Sequence, residues 1–314
     1  MDISLMVEGQ NGLTWTKWSN ILKTSESAGL SGVFRSDHFF IGEQQDSLEP
    51  YLSFVMAALQ TNRIRFGPMV SPVTFRPPVN VGRMAAQIDQ LSHNRFVLGL
   101  GGGWNEAEHI AYGVNFPPVG ERLNRLEEAI NVMKGLWSPG PATYNGRYYT
   151  LQEADCLPKP SEGRPTLLIG GSGEKRTLRL VAQYANEWNS ISMLPEAYAH
   201  KVEVLGEHCE VVGRDPGTIK RSMMTFGILG PHQEAAADHL QQFLRQDKSA
   251  TRSEILDAGR ERGMIVGSTD EVIDRLGMLA EMGLEEVMFQ HMAFDDANFI
   301  EYLGTELAPR VAKL

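Results

Sequence analysis

Cysteine is scarce in this chain: Cys156 and Cys209 are the only two in 314 residues. Two cysteines so far apart make no disulfide framework and offer no metal-ligand spacing, so no metal is expected. Positive charge is short as well. The 29 Lys and Arg against 39 Asp and Glu leave a formal net charge of −10, which argues against nucleic acid or an anionic membrane as partner. No run of 18 apolar residues occurs, so no membrane span is expected. The stretch Met1 to Glu8 is too short and too acidic for a signal peptide, which points to a cytoplasmic protein.

What remains, 42% hydrophobic and 22% charged, is an ordinary globular composition. The length suits one (β/α) barrel domain over 1–314, since roughly 250 residues plus insertions is usual for that fold. The most distinctive stretch is Phe96-Val-Leu-Gly-Leu-Gly-Gly-Gly-Trp104-Asn-Glu-Ala-Glu-His109. It passes from strand-like residues through a glycine turn into a helix-forming, acidic segment. Glycine lets a backbone approach a ligand closely, and a following helix N-terminus favours an anion. No Gly-Lys-Ser/Thr follows, so it is no Walker A loop, and it lacks the acidic residue of a dinucleotide fingerprint. A plain tight turn into a helix would carry the same residues.

Along the chain, strands are expected at 3–7, 31–38, 63–70, 96–100, 166–169, 187–191, 221–228 and 286–290, alternating with helices. The first helix places Trp18, Ile21, Leu22 and Ser25 on one face. The second does the same with Leu52, Val55, Met56 and Leu59, and Glu121 to Trp137 is the clearest amphipathic helix. Residues 230–263 are polar and are assigned to an insertion. Eight strand–helix units predict an α/β fold, a parallel sheet closed into a (β/α)8 TIM barrel, with an open doubly wound sheet as the alternative. Active sites of such barrels lie at the C-terminal mouth. Asp37-His38, Met69-Val70-Ser71, Gly101 to Trp104 and Gly170 to Gly173 all fall there.

Four segments in order resemble the bacterial luciferase-like flavin and deazaflavin oxidoreductases: Arg35 to Phe39, Gly67 to Arg76, Leu98 to His109 and Leu168 to Thr177. Ser36-Asp37-His38 is similar to the branch that uses the deazaflavin coenzyme F420. The resemblance implies that Asp37 and His38 lie near the deazaflavin ring, with His38 taking a substrate hydroxyl proton while hydride leaves for the cofactor. It implies a cis peptide at Met69-Val70, pressing with Ser71 on the rear of the ring. Gly101, Gly102 and Gly103, with Gly170, Gly171, Ser172 and Gly173, would hold the ribityl chain and phosphate. One departure stands out: where sugar-phosphate dehydrogenase relatives carry an acid after the glycine loop, this chain has Trp104, with Glu106 and Glu108 further on. Trp104 and Phe39 are therefore assigned to an apolar substrate pocket. A homodimer is a family expectation. The alternatives are an FMN-dependent monooxygenase fed by a partner flavin reductase, and a non-catalytic flavin-binding protein on the same barrel.

Overall fold

The computed structural model of the protein describes residues 1–43, 47–229 and 250–314. Its strands are β1 (Asp2–Val7), β2 (Gly32–Arg35), β3 (Arg65–Pro68), β4 (Ser71–Pro72), β5 (Val97–Gly101), β6 (Ala142–Asn145), β7 (Thr150–Ala154), β8 (Thr166–Gly170), β9 (Glu187–Ile191), β10 (Lys220–Leu229), β11 (Ile265–Gly267) and β12 (Glu286–His291). The main sheet runs β3-β2-β1-β12-β10-β9-β8-β5-β4, and all of its pairings are parallel. A parallel bridge between Phe66 and Phe96 joins β3 to β5 and closes the ring. All eight expected strands are present, and β4 continues β3 after a two-residue break at Met69-Val70.

Alternation along each strand builds two cores. In β1, Ile3, Leu5 and Val7 face the helices, while Met6 enters the barrel interior with Phe34, Met69, Val97, Leu168 and Met288. The N-terminal end of the barrel is plugged by charge. Arg65 pairs with Glu187 and, at 3.2 Å, with Glu286; Lys220 reaches Glu286 at 2.9 Å and Asp2 at 2.7 Å. Ser4 donates to Glu286 at 2.5 Å.

Helix α1 (Trp15–Ala28) starts at Thr14, whose side chain accepts from Lys17 N, and stops at Gly29 in the left-handed region at φ 93°. It buries the expected Trp18, Ile21, Leu22 and Ser25, and the Trp18 indole N–H donates to the Ser53 carbonyl of α2 (Pro50–Gln60). On α2 the expectation is reversed. Tyr51, Phe54, Ala57 and Ala58 are buried, whereas Leu52 and Leu59 are 61% and 68% exposed and Val55 is exposed too. An 11-residue helix apolar on nearly every side does not tell by periodicity which stripe faces the sheet.

Three further differences concern the connections. Pro78 opens α3 (Pro78–Ser92), where a missing N–H costs nothing, instead of ending the preceding loop. An antiparallel hairpin, β6–β7, lies between α5 (Val119–Trp137) and β8. Of the assigned insertion, 230–249 lies outside the described residues, and 250–263 is an integral part of the fold. Helix α8 (Arg252–Glu261) has a capping box at Thr251 and Glu254, and β11 pairs in parallel with β10.

Candidate active site

The site forms where the strand ends of the mouth meet. The Met69–Val70 peptide is cis. Val70 fills space that only glycine leaves open. A Cβ on Gly101 would lie 2.6 Å from Val70 Cγ2, and one on Gly170 would lie 2.9 Å from Val70 Cγ1. Gly101 and Gly170 thus come together around Val70, and Gly102 packs near Leu123. Gly103 takes φ 76° and leads towards the short helix α4 (Glu106–Ala111).

Asp37 and His38 leave β2 in opposite directions, as neighbours on extended backbone do. Asp37 turns into the protein, 2% exposed. Its carboxylate accepts from Ser71 Oγ at 2.6 Å and from both terminal nitrogens of Arg76 at 2.5 and 3.1 Å. Because the Ser71 hydroxyl is spent on Asp37, the Tyr51 hydroxyl donates to Ser71 Oγ at 3.1 Å. Asp37 therefore fastens the residue after the cis peptide. Arg76, the last residue of the Gly67 to Arg76 segment and without a role in the sequence reading, also binds Glu49 at 2.6 Å.

His38 keeps 14% of its side chain exposed. Its Nδ1–H donates to Glu108 Oε1 at 2.8 Å, while Glu108 Oε2 accepts the Phe39 N–H at 3.0 Å. Both carboxylate oxygens of this fully buried residue are used, one on the imidazole and one on the backbone that follows it. That leaves Nε2 without a hydrogen-bond partner among the described residues. Burial disfavours the charged ring, but the hydrogen bond and charge of Glu108, helped by Glu8 and Asp37, outweigh it and raise the pKa above the ordinary 6.5. Sequence reasoning passed over Glu108, although its place in the glycine-loop motif was the available signal. Glu8, just past β1, was missed too; it is held by Gln290 at 2.6 Å and Gln10 at 2.9 Å.

Trp104 meets the His38 ring edge-on, with centroids 5.3 Å apart, yet is 66% exposed. Phe39 goes elsewhere, stacked between Phe75 and Tyr112 with centroids 4.5 and 4.4 Å away. It braces the loop beside the His38–Trp104 pair. His109 is locked nearby: Nδ1–H donates to the Asn105 carbonyl at 2.7 Å, so Nε2 accepts the Thr74 hydroxyl at 2.6 Å.

At the other glycine loop, Gly171 has φ 116° and the loop runs into α6 (Thr177–Tyr184), whose first turn has no side-chain cap. The Ser172 hydroxyl is screened from solvent and has no partner. An orphaned hydroxyl before an uncapped helix N-terminus suits a phosphate. Lys175 is exposed, whereas Arg176 is committed to the Gly120 carbonyl and the Asn124 side chain. No cluster of metal-ligating side chains occurs among the described residues.

Known proteins are similar to this chain along most of its length. The F420-dependent glucose-6-phosphate dehydrogenase of Microbacterium testaceum is 25% identical over 311 residues, covering 92% of this chain and 91% of that one. The Mycobacterium leprae protein of the same name is 27% identical over 316 residues, covering 92% of each. An F420-dependent secondary alcohol dehydrogenase, solved in complex with an F420-acetone adduct, superposes with a TM-score of 0.84 at 21% identity, covering 99% of this chain and 98% of that one. At that identity the superposition attests the fold, the closed α/β barrel. The sequence pattern described as luciferase-like monooxygenase spans residues 4–286, from the first strand to the last, and the chain belongs to that family.

Proposed function

We propose that this protein is an F420-dependent oxidoreductase that moves a hydride between the deazaflavin and a small organic substrate at the barrel mouth. The observation that carries this reading is the His38–Glu108 pair: an imidazole fixed through Nδ1 with Nε2 left for a ligand. The relatives named F420-dependent dehydrogenases, matched over 92% of the chain, support F420 over FMN. The orphaned Ser172 hydroxyl and the loop Gly170, Gly171 and Gly173 fit the phosphate. Met69, Val70 and Ser71, with Gly101, Gly102 and Gly103, would form the ring's seat, and Asp37 acts by holding Ser71.

When bound, the deazaflavin supplies a two-electron hydride acceptor or donor. In oxidation, neutral His38 takes the substrate hydroxyl proton at Nε2, while the carbinol C–H bond breaks with its electron pair and a carbonyl forms. In reduction, the imidazolium returns that proton. The raised pKa of His38 keeps more of the ring protonated near neutrality, so reduction of a carbonyl is favoured there and oxidation gains as pH rises. Glu108 is a positioning residue that acts through His38.

No described helix is long and apolar enough to cross a membrane. The same reading places the enzyme in the cytoplasm as one domain over 1–314. The outward Leu52, Val55 and Leu59 face of α2 supports a homodimer. Sedimentation as a monomer at micromolar concentration would overturn the homodimer.

Paired fluorescence titrations with F420 and FMN test the cofactor. Micromolar or tighter F420 with weak FMN is expected, and the reverse order overturns the assignment. His38→Asn should keep F420 affinity while turnover falls on the order of 10²-fold or more.

A further inference from the structure

We propose that the substrate is an uncharged, mainly apolar alcohol, or the carbonyl compound it forms, and that phosphorylated and carboxylated compounds are turned away. This rests on the proposed oxidoreductase activity and departs from what the glucose-6-phosphate dehydrogenase relatives are named for.

The first argument is charge. His38 feels three buried carboxylates, Glu108, Glu8 and Asp37. The nearby cations are already spent. Arg76 lies between Asp37 and Glu49, and Arg35, fully buried, is bound to the Ser53 and Ser47 hydroxyls and the Leu48 carbonyl. No Lys or Arg occurs in the first three positions after β1, β2, β4, β5, β8, β9 or β12. A neighbouring cavity of about 230 Å³ is lined by Arg76 and Arg125, but Arg125 is itself paired with Glu121 at 2.8 Å. Among the described residues, Arg35, Arg76, Arg122 and Arg125 are each held by protein partners, Arg122 by the Gly102, Gly103 and Pro117 carbonyls. An added negative charge would meet repulsion in a site where the protein screens it poorly.

The second argument is the apolar surface of the mouth. Trp104 touches the His38 ring and still exposes two-thirds of its surface. On the sector after β9, Ile191 is 61% and Leu194 44% exposed. Trp104, open beside the hydrogen-bonding nitrogen, gains by covering a hydrocarbon body whose hydroxyl reaches Nε2, and Ile191 and Leu194 add apolar surface on another sector of the mouth. The phosphate-binding feature found among the described residues of the mouth, Ser172 with the start of α6, is assigned to the cofactor. The oxidation balances in atoms and electrons: the C–H electron pair goes to the deazaflavin, the O–H proton to His38, and a ketone or aldehyde leaves.

The test uses the F420-loaded protein with 1-phenylethanol and glucose 6-phosphate as probes, and acetophenone binding read by tryptophan fluorescence. The expected result is a kcat/KM for 1-phenylethanol on the order of 100-fold above that for glucose 6-phosphate. Trp104→Ala should raise KM for 1-phenylethanol about tenfold with a much smaller change in kcat and in F420 affinity, and Trp104→Phe should recover most of it. Turnover of glucose 6-phosphate at equal or greater efficiency overturns the inference, as does a KM indifferent to Trp104→Ala. Acetophenone failing to bind overturns it as well. Each of these outcomes leaves F420 dependence standing. Failure to bind F420 at all sinks the oxidoreductase reading and this inference with it.

Discussion

Replacing Glu108 by Gln removes one buried charge at nearly unchanged size, and turns its amide NH2 towards one of the two N–H donors, a cost that does not vary with pH. In the parent protein Glu108 accepts from His38 Nδ1 at 2.8 Å and from Phe39 N at 3.0 Å. A hydrogen bond to a charged group contributes about 1.5–3 kcal/mol, and a neutral one about 0.5–1.5 kcal/mol. The variant should therefore lose a further amount of about 1–1.5 kcal/mol of stability, the difference between those two ranges, wherever His38 is charged. The sign with pH comes from the direction of the shift. A folded-state pKa raised above 6.5 gives stabilisation that is complete below 6.5 and lost as pH rises through the folded value. The gap between parent and variant should accordingly be widest on the acid side of 6.5 and narrow above it. Urea midpoints at several pH values, with an unchanged denaturant slope, measure the gap. The His38 proton resonance titrated by NMR should move to lower pH in the variant. A gap independent of pH, or a titration midpoint that stays or rises, would refute the account of the pair.

The same contacts and packing give three further outcomes for stability and one for the rate. Gly67→Ala would put a Cβ 1.8 Å from the Val97 carbonyl oxygen, so loss of soluble folded protein is expected on expression. Gly206→Ala, in α7 (Pro195–Val212) with open space around it, should instead raise the melting temperature through a gain of roughly 0.5–1 kcal/mol. Arg65→Ala strands Glu187 in the barrel floor and leaves Glu286 to Lys220 and Ser4, and should cost about 3–5 kcal/mol by chemical denaturation; a loss below 1 kcal/mol, about what a surface pair contributes, would show the plug to be solvated. The rate of alcohol oxidation should climb with pH through an inflection above 6.5, and that inflection should fall in Glu108→Gln; an inflection unmoved by the substitution would exclude His38 as the titrating base.

The strand–helix alternation was legible in local pattern, because strands buried on both faces are short apolar runs and α1 has a single apolar stripe. So were the positions of Asp37, His38, Met69-Val70 and the two glycine loops at strand ends, since the order of elements puts every strand's C-terminus at one mouth. The outward face of α2 was not legible, for a helix apolar on nearly all sides has no preferred stripe. Nor were the hairpin β6–β7, which lies outside the repeating unit, and the start of α8, whose polar sequence resembles an insertion. Only the tertiary structure decided what each site residue does. Glu108 is 70 positions from His38, Arg76 is 39 from Asp37, and Gly170 is 100 from the Val70 it accommodates. Residues that distant share no period, cap or turn. Their pairing is set by the closure of the barrel, which brings separate strand ends within hydrogen-bonding and van der Waals reach.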